Sequence, residues 1–169
     1  TVGYVISGGT ATNGAAGDFE LVAGNLTFPA GTSSDQSITV TLHDDDAYEG
    51  YETLILTLQN ASGANLGSQA SHTLTINDDE VPPQVHFQAV SSSFNEDEST
   101  QIIAVSLTGQ SASAVTVSYA VSGGTATEGS SSDFELGSGT VVFPALTTAN
   151  QNITITLHED AIYESNETV

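Results

Sequence analysis

The chain has 169 residues, with 21 Asp and Glu, four His and no Lys, Arg, Cys, Met or Trp, for a formal net charge of −21 at pH 7. A chain without bases cannot neutralise phosphates, which excludes nucleic acid and anionic membrane surfaces as direct electrostatic partners. The lack of cysteine excludes disulfides, thiolate metal sites and cysteine nucleophiles.

Charge of this kind raises disorder as a first reading, but short, regularly spaced apolar runs argue against it. No signal peptide and no apolar run long enough to span a bilayer is present, so a soluble protein or a window of a longer one is expected. Almost every apolar run alternates with polar residues, the period of a half-buried strand. In chain order, the pattern predicts strands over 1–6, 25–28, 37–42, 53–59 and 72–76. The run SITVTLH shows the principle: Ile38, Val40 and Leu42 share one face, and Thr39, Thr41 and His43 the other. NDDEVPP at 77–83 follows, an acidic triplet and two prolines that read as a joint. Beyond it, strands are predicted over 85–90, 101–107, 116–121, 140–143 and 152–157.

An internal repeat organises these elements. TVGYVISGGTATNGAAGDFEL at Thr1 returns as TVSYAVSGGTATEGSSSDFEL at Thr116, and the offset of 115 holds to the end without a gap. Of the 54 pairs between Thr1–Leu54 and Thr116–Val169, about 30 are identical. The expectation is a tandem array with a unit of about 115 residues, entered and left in mid-domain. Residues 1–80 are then the last five strands of one domain, and 81–169 the first five of the next. Joined, the halves predict a seven-stranded antiparallel β-sandwich of immunoglobulin-like architecture.

If successive strands run up and down, the acids gather at one pole. HDDDAYEGYE carries Asp44, Asp45, Asp46, Glu49 and Glu52, matched in the second unit by Glu159, Asp160, Glu164 and Glu167. FNEDES carries Glu96 beside Asp97 and Glu98, and the exit of the strand at 72–76 carries Asp78, Asp79 and Glu80. Asp18 and Glu20, with Asp133 and Glu135, belong to a further loop at the same pole. The opposite loops, GQSASA, PAGTSSD and PALTTAN, are nearly uncharged. Two carboxylates ~5 Å apart in water repel by roughly 0.8 kcal/mol, and more in a lower dielectric. No base is at hand to offset that repulsion, so the pattern predicts a hard divalent cation held by oxygen. Ca²⁺, with about six to eight ligands in flexible geometry, fits better than Mg²⁺, and zinc would require His or Cys.

Other features read more plainly. His43 and His158 fall on the outward phase of their strands and are expected to be solvated. Asp18 and Asp133 either close an Asx-turn or bind metal. Asn25, Asn60, Asn152 and Asn166 open glycosylation sequons, which leaves glycan attachment open. SGGTAT lies between strands with no helix or lysine after it, and is a turn rather than a phosphate loop. With no tryptophan, no apolar cleft and no Ser/His/Asp order, an enzyme is not expected.

SGGTATxGxxxDFE, FPAG, DDDxxYExxE and LTINDDE, in that order, resemble the Calx-beta motif of sodium/calcium exchanger regulatory domains, integrin β4 and large bacterial surface proteins. The resemblance implies a seven-stranded sandwich with Ca²⁺ at one pole. It implies ligands at Glu96, at Asp44, Asp45, Glu49 and Glu52 (Glu159, Asp160, Glu164 and Glu167 in the second unit), and at Asp78, Asp79 and Glu80. Two departures stand out: Gly8 and Gly123 replace an acid before GTA, and Asp44–Asp46 becomes Glu159, Asp160, Ala161. Weaker binding in the second unit is therefore expected. The expected role is a calcium-binding structural repeat of a secreted or cell-surface protein, a Ca²⁺-rigidified stalk or filament of adhesin or matrix type. Its partners would be neighbouring repeats, through lateral or head-to-tail self-assembly. The alternatives are a Ca²⁺-sensing regulatory module or a ligand- or carbohydrate-binding adhesin domain.

Overall fold

Alternation of apolar with hydroxyl-bearing residues favours an extended backbone; over 151–157 it carries through to burial, with Ile153 and Ile155 buried and Asn152 and Thr154 exposed. A computed structural model describes residues 1–161, 163 and 165–169; the expected ligand Glu164 lies outside the described residues. The described residues are all-β and divide into two compact units, Thr1–Glu80 and Val81–Val169. No helix among them is long and apolar enough to cross a membrane.

The first unit contains β1 (Val2–Gly9), β2 (Phe19–Glu20), β3 (Gly24–Leu26), β4 (Thr41–Leu42), β5 (Ala47–Tyr48), β6 (Glu52–Gln59) and β7 (Ser71–Ile76). An antiparallel sheet runs in the order β3-β1-β6-β7, and β2 pairs with β4. The register sets Ile6 beside Leu56 and Leu54 beside Leu74. Phe19, Leu21 and Leu54 are buried, with Tyr4, Ile6, Ile38, Val40, Leu56 and Ile76 packed around them.

The strand β1 ends for a steric reason. A bulge falls between Ile6 and Gly8, and Gly9 turns the chain out at φ 121°, where a Cβ would collide with the Thr53 carbonyl. The amides of Thr10 and Ala11 then donate to that carbonyl at 2.9 and 3.0 Å, and Thr53 N donates to Thr10 Oγ1 at 2.9 Å. This clamp fixes the loop that follows β1 against the start of β6. The second unit repeats it with Gly124 at φ 124°, Thr125, Ala126 and Thr168.

The second unit contains β8 (Val85–Phe87), β9 (Thr100–Leu107), β10 (Gln110–Ser111), β11 (Val115–Tyr119), β12 (Phe134–Glu135), β13 (Gly139–Phe143) and β14 (Gln151–Leu157). One sheet runs β12-β14-β9-β8 and the other is the β11-β13 pair. Val105, Leu107 and Ile153 from the first layer meet Val141 and Phe143 from the second. That is a β-sandwich core, consistent with the immunoglobulin-like expectation.

Several predicted strands are shorter than expected. The clearest is 37–42, of which only Thr41–Leu42 enters a ladder, whereas its counterpart runs the full Gln151–Leu157. The difference lies in the neighbours: β14 pairs along β9, and nothing within residues 1–80 borders 37–40 in the same way. The strand predicted at 85–90 stops at Phe87, that at 116–121 stops at Tyr119, and that at 25–28 shifts to Gly24–Leu26.

Candidate metal centre

Three segments of the first unit are tied together by their own carboxylates. The first is the loop after β1. Asp18 accepts hydrogen bonds from Thr12 N at 2.5 Å and Thr12 Oγ1 at 2.8 Å, and Asp18 N donates back to the Thr12 carbonyl at 3.0 Å. Asn13 braces the same loop: its Nδ2 donates to Leu21 O at 2.9 Å, and its Oδ1 accepts from Leu21 N at 3.0 Å. His43, just past β4, holds the loop from the other side. Its amide donates to Asp18 O at 2.9 Å, and its Nδ1 lies 2.8 Å from Gly17 O.

The second segment is HDDDAYEGYE between β4 and β6. Asp45 Oδ1 accepts from Ala47 N at 2.7 Å, an Asx-turn that folds the acidic run back over the buried Ala47. The third is the exit of β7. Asp78 Oδ2 accepts from Glu49 N at 2.7 Å and Gly50 N at 2.5 Å, while its Oδ1 accepts from Glu80 N at 3.0 Å.

The three segments enclose a cavity of about 60 Å³ lined by Asp18, Asp44, Asp45, Glu49, Glu52, Asp78, Asp79 and Glu80, with His43. Within it, carboxylate oxygens of Asp18, Glu49 and Glu52 all lie within 4.8 Å of one another, and so do those of Asp44, Asp79 and Glu80. Of the ligands expected in this unit, only Asp46 stands outside the lining; its side chain is exposed.

The carboxylates pay unequally for this crowding. For Asp18, burial acts upward, but the bonds from Thr12, Glu49 and Glu52 outweigh it and hold the group at about 2. Glu49 is pushed up to about 7 by burial, by its hydrogen bond with Asp18 and by the charges of Asp18, Asp45 and Glu52. Glu52 is raised by burial and by Asp18, and Glu80 by its bond with Asp78, by burial and by Asp79. Burial also acts upward on Asp78, yet the amides of Gly50 and Glu49 keep it below the usual range. One carboxylate is thus held ionised while its neighbours are driven toward the protonated form, as happens when like charges share a site. Both ligand groups are carboxylate oxygens only, and His43, in the same lining, has its Nδ1 engaged with Gly17 O. Such a set fits a hard cation, which would let Glu49 and Glu52 ionise beside Asp18.

The two shifts give opposite pH dependences without metal. Glu49 rises from 4.5 to about 7, so its contribution is complete below 4.5 and is lost as pH climbs to 7. Asp18 falls from 3.8 to about 2, so its contribution is present above 3.8 and is lost in acid. Chelator-treated protein is therefore expected to be most stable at about pH 4–5, and to lose stability between about pH 5 and 8. Urea melts across that range check this; a stability that rises toward pH 8 would contradict it.

The second unit assembles a different subset. Thr127 N donates to Asp133 Oδ2 at 2.5 Å and His158 N to Asp133 O at 3.0 Å, the same turn as in the first unit. Asp133 lines a cavity with Glu96, Glu167, Phe94 and Asn95. The expected ligands Glu159 and Asp160 are exposed and not among the described lining. His43 and His158 both depart from the solvated surface expected of them: each is half-buried, and among the described residues His158 Nε2 is buried without a hydrogen-bond partner. From sequence, Asp18 is open between turn and ligand and stands outside the expected ligand set. Its carboxylate closes the turn and also joins Glu49 and Glu52. The Thr–x5–Asp spacing, Thr12 to Asp18 and Thr127 to Asp133, is the signal that marks it.

The sequence matches the Calx-beta domain family over residues 1–80 and again over 78–169. No curated protein matches it. Among solved structures, the "Crystal structure of CBD12 from CALX1.2" is similar at 23% identity and a TM-score of 0.43, over 95% of this chain and 63% of that one.

Proposed function

The chain belongs to the Calx-beta domain family, whose members are calcium-binding regulatory or structural modules, and from that membership we propose that residues 1–80 bind Ca²⁺ in the acidic cavity. One observation carries the reading: carboxylates from three separate segments meet in one cavity of a chain with no Lys or Arg. Asp18, Glu49 and Glu52 form one ligand group, and Asp44, Asp79 and Glu80 a second, with Asp45 and Asp78 positioning the loops. When bound, the ion supplies the positive charge that the chain lacks. The second unit, with Glu96, Asp133 and Glu167 gathered but Glu159 and Asp160 exposed outside the lining, is the weaker site.

In this proposal the chain is a structural repeat of a secreted or cell-surface protein. Calcium stiffens the acidic pole, and successive repeats build a stalk or filament that associates through neighbouring repeats. The extreme acidity and absence of cysteine suit an exterior where calcium is abundant. No catalytic role is proposed.

Titration calorimetry at neutral pH tests the site. Saturable Ca²⁺ binding is expected at about 10⁻⁴–10⁻³ M, the range of extracellular modules, with weaker Mg²⁺ binding. Proton release, read as a heat that varies with buffer, should accompany it. Absence of binding would sink the proposal. A sensor module of the regulatory kind is separated by small-angle scattering of a multi-repeat protein, which a stalk should lengthen and stiffen on calcium addition.

A further inference from the structure

The loop that positions Asp18 contains the only Asn–Gly dipeptide in the chain, Asn13–Gly14. Asn–Gly is the amide pair most prone to self-modification, because glycine offers no side chain to block attack by its own nitrogen. The deprotonated Gly14 amide nitrogen attacks Asn13 Cγ, a C–N bond forms and ammonia leaves. Water then opens the cyclic imide at either carbonyl, giving aspartate or isoaspartate. Asn13 is exposed and a Cβ at Gly14 would meet nothing within 4 Å, so solvent reaches the pair freely. Accessibility therefore does not protect it.

Geometry does. The Asn13 carboxamide is bonded at both ends to Leu21, at 2.9 and 3.0 Å, which turns Cγ toward that residue. The Gly14 amide hydrogen is donated to Phe19 O at 2.9 Å, so the nucleophile is engaged as well. Leu21 and Phe19 are buried, and Asp18 beside them is fixed by Thr12. The lock is thus the same loop that delivers a carboxylate to the acidic cavity. In the second unit the equivalent residue is Glu128, whose Oε1 accepts from Gly137 N at 2.6 Å, so a carboxylate in this place still serves as an acceptor. It cannot replace the donation that Asn13 makes to Leu21 O.

We propose that Asn13–Gly14 is a latent self-modification site gated by the metal centre. It stays intact while the acidic cavity holds its cation, and hydrolyses to aspartate or isoaspartate when loss of the cation leaves the loop held by its own hydrogen bonds alone, so that it opens more often. The gating rests on the calcium reading above; the lock itself rests only on the hydrogen bonds. The modified loop lacks one bond to Leu21 and holds Asp18 less firmly, so modification and calcium loss reinforce each other.

The full chain is incubated in mildly alkaline buffer with Ca²⁺, with EDTA, or in urea. Peptide mapping then follows the mass increase of an amide-to-acid conversion at Asn13, with Asn13→Gln as the assignment control. The expected order is urea fastest, then EDTA, with Ca²⁺ well above its Kd slower than EDTA by at least about tenfold, because a ligand held only by the closed loop suppresses local opening. Equal rates in Ca²⁺ and EDTA, in protein that calorimetry shows to bind Ca²⁺, would overturn the gating and leave the calcium site standing. A urea rate no faster than the folded rate would overturn the lock.

Discussion

Addition of Ca²⁺ to EDTA-treated protein is expected to raise the melting temperature of the first unit by about 10–20 °C. At a free concentration of 100 times Kd, a ligand confined to the folded state contributes about 2.7 kcal/mol, and each kcal/mol moves a domain of this size by about 4–8 °C. The stabilisation has a specific physical source. In the metal-free state, Glu49 is raised to about 7 by burial and by the carboxylates around it, so at neutral pH the loop sequence Asp44–Glu52 is held against its own repulsion. A cation removes that repulsion and adds ligand bonds, so the shift should be larger at pH 8 than at pH 5. Magnesium, which surrenders its water reluctantly, should give a smaller shift at equal concentration. The second unit, whose Glu159 and Asp160 stand exposed outside the lining of its cavity, should respond less. A midpoint unmoved by 10 mM-scale calcium, roughly 100 times the tighter expected Kd, would remove the basis for a metal site.

The legible part of this protein was whatever repeats or alternates. The period of two in TLILTLQ and SHTLTIN set β6 and β7 to within a residue, and the clustering of acids in loops rather than strands located the pole. The pairing of 37–40 was not legible, because a ladder depends on the neighbour across the sheet and not on the strand's own residues. Position within the acidic pole was equally hidden. Asp45, Asp46 and Asp78 look alike in the sequence. In the fold Asp45 caps a turn, Asp46 faces solvent and Asp78 ties two segments through backbone amides. Asp18 was the reverse case. Its local role, the turn with Thr12, masked the second one, since a single carboxylate has acceptor sites for both.

The two sides of the Asp18–Glu49 pair should answer neutralisation with opposite signs. Glu49 is raised, so the metal-free fold already favours its neutral form, and Glu49→Gln supplies that form permanently. At pH 8, Glu49→Gln is expected to melt higher than the parent in EDTA, because a repelling charge is gone while the amide still donates to Asp18. Asp18 is lowered, because its charge is what the Thr12 amide and hydroxyl bond to. Asp18→Asn therefore weakens the turn, and should melt lower than the parent in EDTA. Both substitutions remove a charged oxygen ligand, and each should weaken calcium affinity by about tenfold or more, since affinity in such sites follows ligand charge. The diagnostic result is the combination: one variant more stable and one less stable without metal, and both with a reduced calcium shift. Two variants that move together in EDTA would mean that the cluster does not carry the unequal charges assigned to it. Two variants with the parent's full calcium shift would mean that the ion is held elsewhere, and the ligand group Asp18, Glu49 and Glu52 would have to be abandoned.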